Sequence, residues 1–161
     1  MNNAIFWTTP LGPLTAVCDG ERLTHLLFGS LPEGLLAIFE PTPLLLEAQA
    51  QINEYVYGYR QTFDLPLAPH GTDFQLRVWE ALRAIPYGET RTYRQLAEAI
   101  GQPNATCAVG GANHHNPLPI VSLCHRVIGK DGSLTGFGGG LGVKRQLLEI
   151  ERRNVPGASR L

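Results

Sequence analysis

The sequence predicts an α+β fold, with an N-terminal α/β lobe over residues 1–69 and a helical C-terminal lobe over residues 70–161. Three observations predict it. Period-two alternation is confined to residues 4–29, helical spacing of apolar residues recurs from residue 44 onward, and an aperiodic stretch with two prolines, Phe63-Asp-Leu-Pro-Leu-Ala-Pro-His-Gly71, separates the two regimes.

Taken in order, Ala4–Thr9, Leu14–Cys18 and Leu23–Phe28 read as short strands punctuated by turns at Pro10-Leu-Gly-Pro13 and Asp19-Gly20, so a small antiparallel sheet is expected. Leu45, Ala48, Ile52, Tyr55 and Val56 then mark one face of a helix from Leu44 to Gly58 that covers the sheet. In the second lobe, Thr72-x-x-Gln75 is a capping box opening a helix with Phe74, Val78, Leu82 and Ile85 on one face. A second box, Thr92-x-x-Gln95, opens a short helix ending at Gly101, and Asn104 is the expected N-cap of a further helix running to about Asn113. Two short helices joined by a Gly-Gln-Pro turn suggest a helix-turn-helix, although generic helical pairs share the pattern. The later helix is nearly free of bulk, with Ala105, Ala108, Gly110, Gly111 and Ala112, so its backbone can approach another surface closely, whether a ligand or a neighbouring helix. Leu118–Leu123 reads as an extended apolar segment delivering Cys124-His125-Arg126. A glycine-rich loop follows, and a last helix from Val143 to Arg153 turns Val143, Leu147, Leu148 and Ile150 inward.

Composition narrows the function classes. With 161 residues, 43% hydrophobic and 17% charged, 18 Gly and 12 Pro, the chain is neither disordered, collagenous nor a coiled coil. No apolar run reaches the roughly 18 residues that cross a bilayer, and the first residues lack the pattern of a secretion signal, so a cytoplasmic protein without membrane contact is expected. Net charge is −5 over residues 1–69 and +4 over residues 70–161; the second half can face a polyanion, though scattered solvated charge gives the same balance. Three dispersed cysteines, Cys18, Cys107 and Cys124, make no disulfide framework. The glycine-rich loop matches neither the dinucleotide fingerprint nor the P-loop.

Cys124 carries the chemistry or none is apparent. A thiol is mostly protonated at neutral pH, so a nucleophilic cysteine needs a base or a cation beside it, and His125 and Arg126 are adjacent. Glu151 on the last helix can accept the second imidazole proton and fix the tautomer. The same residues also suit a structural cysteine or a metal ligand. Arg126 suits either thiolate stabilisation or the pinning of loop carbonyls. Cys18 with His25, and Cys107 with His114 and His115, are too few or wrongly spaced for a closed metal site, so no metal is expected; His70 and His115 read as solvent-facing.

Ile120-Val-Ser-Leu-Cys-His-Arg-Val-Ile-Gly129 resembles the Pro-Cys-His-Arg-Val/Ile signature of the O6-alkylguanine-DNA alkyltransferases. Pro86–Tyr93, Ala108–Asn113, Asn116–Pro119, Gly132–Leu141 and Lys144–Glu151 resemble that family in order and spacing; the likeness is strong over residues 72–151 and loose before them. It implies a ribonuclease-H-like N-terminal lobe packed on a C-terminal lobe with a winged-helix-like DNA-binding motif. It also implies a monomer without cofactor, whose partner is double-stranded DNA containing alkylated guanine. The activity implied is single, irreversible transfer of an O6-alkyl group from a flipped-out guanine, with O4-alkylthymine as a further substrate, to the protein's own cysteine.

By that resemblance Cys124 is the acceptor, His125 the base acting through a water, Glu151 its orienting acid, and Asn116 the brace of the active-site turn. Tyr93, Val127, Phe137, Gly138 and Gly139 would hold the base. Thr92, Tyr93, Arg94, Gln95, Ala105, Cys107, Ala108, Gly110, Gly111, Asn113, His114 and Arg126 would meet DNA, with the low-relief helix in the minor groove. The chain departs from the family pattern at three places. Cys107 stands where an arginine usually fills the gap left by the flipped nucleotide, and His114 where a basic residue or glycine is common; both weaken the expected grip on DNA. Leu123 replaces the proline before the cysteine, which removes a fixed dihedral and adds an N–H in need of a partner. These changes suit a self-labelling variant that accepts free O6-benzylguanine derivatives as well as a repair protein. A lesion sensor that binds without transfer is a third reading, opposed by the presence of Cys124.

Overall fold

The computed structural model describes residues 2–130 and 140–154, and the chain divides into two compact units, Met1–His70 and Gly71–Leu161.

In the first unit, strands β1 (Asn3–Thr9), β2 (Gly12–Cys18) and β3 (Leu23–Phe28) form antiparallel neighbours, and β4 (Ile38–Phe39) adds to the free edge of β1 in parallel, giving the order β3-β2-β1-β4. The sheet is therefore mixed, not wholly antiparallel as its alternation suggested. Strand β4 is two residues long inside a proline-rich stretch, too short for any period to show. Helix α1 (Pro43–Val56) starts where Thr42 Oγ1 accepts from Leu45 N and Pro43 takes a position with no N–H to satisfy. It buries Leu45, Ala48, Ile52, Tyr55 and Val56, the expected face. Trp7 Nε1 donates to Asn53 Oδ1 at 3.0 Å, which joins β1 to α1.

The second unit is helical apart from one parallel pair. Helices α2 (Asp73–Leu82) and α3 (Tyr93–Ala99) both begin with complete capping boxes, Thr72/Gln75 and Thr92/Gln95, as the sequence predicts. Gly101, at φ +77°, closes α3 in a left-handed conformation that glycine tolerates. Helix α4 (Thr106–His114) starts one residue later than expected: Ala105, not Asn104, is its N-cap, with no side-chain cap, because residues 102–105 form a turn closed by Ala105 N to Gln102 O at 2.9 Å. Trp79 Nε1 of α2 donates to Ala112 O of α4 at 2.8 Å, and Val109 and Ala112 pack inward. Strands β5 (Arg91–Thr92) and β6 (Val127–Ile128) pair in parallel, which sets the residues after Cys124 beside the start of α3. Helix α5 (Leu141–Asn154) follows the glycine-rich loop, most of which, at 131–139, lies outside the described residues.

The face of α5 differs from the apolar one expected. Lys144, Leu147 and Glu151 are buried, while Val143, Leu148 and Ile150 are half-buried. Residues 144, 147 and 151 share a stripe at i, i+3 and i+7, and both charges on it find partners inside the unit.

Residues 117–123 are also not extended. They form consecutive turns, with Ser122 N donating to Leu118 O at 2.9 Å, and they end in a 3-10 turn over Cys124–Arg126. Ile120 and Leu123 carry φ of +72° and +67°, the left-handed region that disfavours residues with a Cβ. Proline cannot adopt this conformation, so the backbone before Cys124 is not the one a Pro-Cys sequence dictates. The Leu123 N–H that a proline would lack donates to Ile120 O at 3.3 Å. Leu123→Pro is expected to destabilise the chain by more than about 1 kcal/mol, whereas Leu123→Gly, which relieves the left-handed cost, stays within about 1 kcal/mol of the parent. Urea unfolding of the two variants measures the contrast; equal stability would show that the left-handed turn is not held.

Candidate active site

Glu151, projecting from α5 and 1% exposed, organises the site. His125 Nε2 donates to its Oε2 at 2.6 Å, Arg126 Nε donates to Oε1 and Oε2 at 2.8 and 3.0 Å, and Gly88 N donates to Oε1 at 3.0 Å. The 3-10 turn makes this possible. In an extended chain His125 and Arg126 would point to opposite sides, whereas successive residues of a tight helical turn can converge on one carboxylate. Arg126 also donates from Nη1 to Ile85 O at 2.5 Å and lies 5.5 Å from the Tyr87 ring centroid, so it pins the end of the α2 segment as well as the acid.

Cys124 starts the same turn and is 1% exposed. Burial pushes its thiol up to about 12, against a smaller opposing pull from the Lys144 cation and from backbone N–H groups, so the resting sulfur is protonated. Burial also lowers the pKa of His125, and the Glu151 hydrogen bond only partly offsets this. The imidazole is therefore neutral at pH 7. With Nε2–H committed to the carboxylate, Nδ1 is the proton acceptor.

Lys144 is a participant that reading α5 as an apolar face missed. It is buried, its Nζ donates to Val127 O at 2.5 Å, and desolvation brings it down to about 8. Its spacing of seven from Glu151 is the signal that places both on one helical face.

Asn116 Oδ1 accepts from Leu118 N at 2.8 Å and from Ser122 Oγ at 3.2 Å, so its side chain fastens both ends of the turn preceding the cysteine. Val127 is fully buried directly after it, and Tyr93 is half-buried at the start of α3. Phe137, Gly138 and Gly139 lie outside the described residues.

The residues expected at DNA divide into two groups. Arg94, Gln95, Cys107, Ala108, Gly111 and His114 are exposed, and Thr92, Tyr93, Ala105 and Gly110 are half-buried. Positions 107, 111 and 114 line one side of α4, and a Cβ added at Gly111 would meet open space, so this face is a low, accessible ridge. Arg94 pairs with Glu98 at 3.3 Å. Asn113 and Arg126 depart from the expectation: each is only 2% exposed, Asn113 because it faces inward from α4 and Arg126 because Glu151 and Ile85 hold it. Neither is presented to a surface ligand.

Among the described residues, no three His, Cys, Asp or Glu side chains are grouped so as to hold a metal ion, and no helix is long and apolar enough to cross a membrane. Cys18 is buried with Sγ 3.8 Å from Thr42 Oγ1, and His25 Nδ1 lies 2.9 Å from Thr24 Oγ1.

Comparison with known proteins gives a consistent placement. Residues 5–69 match the ribonuclease-like domain of 6-O-methylguanine DNA methyltransferase, and residues 73–153 match the DNA binding domain of the same family. The chain is 48% identical over 150 residues to the methylated-DNA–protein-cysteine methyltransferase of Mycobacterium tuberculosis (strain H37Rv), covering 92% of this chain and 91% of that one. It is 47% identical to the protein of the same name from Methanosarcina barkeri, covering 91% and 95%. The crystal structure of Mycobacterium tuberculosis OGT in complex with DNA superposes with a TM-score of 0.89 at 45% identity, covering 96% of each chain. With both lobes matched and a Cys-His-Glu arrangement inside the second, the chain belongs to the 6-O-methylguanine DNA methyltransferase family, the methylated-DNA–protein-cysteine methyltransferases.

Proposed function

We propose that this chain repairs duplex DNA by taking the O6-alkyl group of a flipped guanine onto Cys124 Sγ, once and irreversibly. The observation that carries the assignment is the buried relay in which Glu151 holds the ring of His125, the residue next to a cysteine that is neutral at rest. A neutral thiol is a poor nucleophile, so the reaction needs a base at the moment of attack, and a neutral imidazole with its other nitrogen committed to a carboxylate is suited to that work.

The thiol proton passes through a water to His125 Nδ1, the sulfur attacks the alkyl carbon in line, the carbon–O6 bond breaks with its electron pair passing to the purine, and the Tyr93 hydroxyl donates the proton that makes the departing guanine neutral; the imidazolium proton then returns through water to the tyrosinate, so that overall the thiol hydrogen is exchanged for the alkyl group. The imidazolium that forms is stabilised by Glu151. The Lys144 cation favours the developing thiolate. No step restores the thiol, so each molecule acts once. Because Cys124 is 1% exposed, the incoming base must displace part of its cover, a cost added to that of flipping.

The exposed ridge of α4 supports minor-groove docking, since small side chains allow close approach where sequence is read poorly, as a lesion-directed protein requires. Division of labour follows the two units: residues 70–161 carry docking and transfer, and residues 1–69 form the accessory lobe. A monomer working in the cytoplasm suits this scheme. Exposed Cys107 in place of the usual arginine favours a second reading, a chain with a weakened hold on duplex that still alkylates itself with free benzylguanine.

Intact-mass analysis after exposure to a methylguanine duplex, and separately to O6-benzylguanine, tests both readings. One methyl and one benzyl adduct per chain, each lost in Cys124→Ala, is the expected result; a benzyl adduct without a methyl adduct selects the self-labelling reading, and no adduct with either overturns both. The pH dependence has a defined sign. Since the pKa of His125 lies below its usual 6.5, the ring stays base-competent at neutrality, and the single-turnover rate should hold from pH 7.5 to 6.5 and decline as acid protonates the imidazole. A rate that rises on acidification would remove His125 from the role of base.

A further inference from the structure

The sequence places Asn113 among the residues of a DNA-reading helix, and the geometry turns it the other way. It occupies the last turn of α4, is 2% exposed, and donates from Nδ2 to the carbonyl oxygen of Cys124 at 3.3 Å. The neighbouring Ala112 carbonyl is held by Trp79 Nε1, so the end of α4 is fixed to α2 on one side and to the cysteine's main chain on the other. The 3-10 turn at Cys124–Arg126 has no side-chain cap, and it follows a residue in the left-handed region. Asn113 is the side chain from another element that donates to the first carbonyl of this turn. Asn113 Oδ1 is buried and finds no hydrogen-bond partner among the described residues, so the carboxamide stands at this position at a cost in satisfied polar atoms.

We propose that Asn113 is a positioning residue of the alkyl-transfer reaction: its amide locks the Cys124 carbonyl, and with it the direction of the Cα–Cβ bond that carries the sulfur, to the end of α4. The inference rests on Cys124 being the acceptor. It assigns to Asn113 no contact with DNA. The residue acts through the cysteine's backbone, and the exposed side of the same helix, at Cys107, Gly111 and His114, is left to meet the duplex. A carboxylate here has the same outline but no N–H, and it would put negative charge against a carbonyl oxygen and close to a sulfur that must become an anion.

The test compares the parent chain with Asn113→Asp in three measurements: the single-turnover rate with O6-benzylguanine, the single-turnover rate with a methylguanine duplex, and affinity for an undamaged duplex. A loss of tenfold or more in both rates, with undamaged-duplex affinity unchanged within twofold and the pH profile of Cys124 modification by iodoacetamide moved to higher pH, is the predicted pattern. Unchanged rates would overturn the proposal, as would lost duplex affinity with the benzylguanine rate intact, which would return Asn113 to the DNA face. Failure of the parent chain to react would instead refute the assignment of Cys124. Should the variant not fold, the parent protein decides: benzylation of Cys124 must shift the NMR signals of the Asn113 side-chain amide, and signals that stay in place contradict the link.

Discussion

The second unit is built around one buried carboxylate. Glu151 is removed from water, and an isolated charge there would cost several kcal/mol, so it persists only because donors surround it: an imidazole, a guanidinium and a main-chain N–H. Those donors come from two places in the chain, residue 88 after α2 and residues 125 and 126 in the 3-10 turn, and the acid that accepts from them stands on α5. Satisfying one charge therefore fixes three segments. Arg126 neutralises the acid, which leaves His125 bonded to an ion pair and not to a bare anion; this limits how far the carboxylate can raise the imidazole against the effect of burial.

Several features of the turn before Cys124 follow from that constraint. The chain must curl tightly so that residues 125 and 126 reach the same acid, and the cost appears as two left-handed residues, Ile120 and Leu123. Asn116 and Asn113 hold the curl from its two ends, one through the Leu118 N–H and the Ser122 hydroxyl, the other through the Cys124 carbonyl. Lys144, from the same stripe of α5 as Glu151, secures the far side at Val127 O and contributes a positive field to the thiol. Site and scaffold are the same set of interactions.

Much of this was legible in the residues. Both threonine-glutamine capping boxes announced their helices because the side-chain pairing is local, and the buried face of α1 followed from spacing alone. The pairing of His125 with Glu151 follows from chemistry and resemblance, and the two side chains are hydrogen-bonded. What escaped was non-local. Strands β4, β5 and β6, two residues each, exist only because a distant strand pairs with them. The segment 118–123 looks extended from its apolar run, yet it is bent by Asn116 and by the convergence on Glu151. Apolar patterning leaves no place for a charge such as Lys144 on a buried stripe, and the resemblance sets Asn113 and Arg126 at DNA although both are buried, Arg126 meeting instead the alternative reading of a pin for a loop carbonyl, at Ile85 O. Burial decided all three.

The central claim is that Glu151 holds His125 in the one tautomer that leaves a base for the cysteine proton. Nitrogen-15 NMR of the His125 ring in the unreacted protein at pH 7 measures this directly. A protonated Nε2 and an unprotonated Nδ1 are predicted. An imidazolium at that pH, or the proton on Nδ1, would contradict the account.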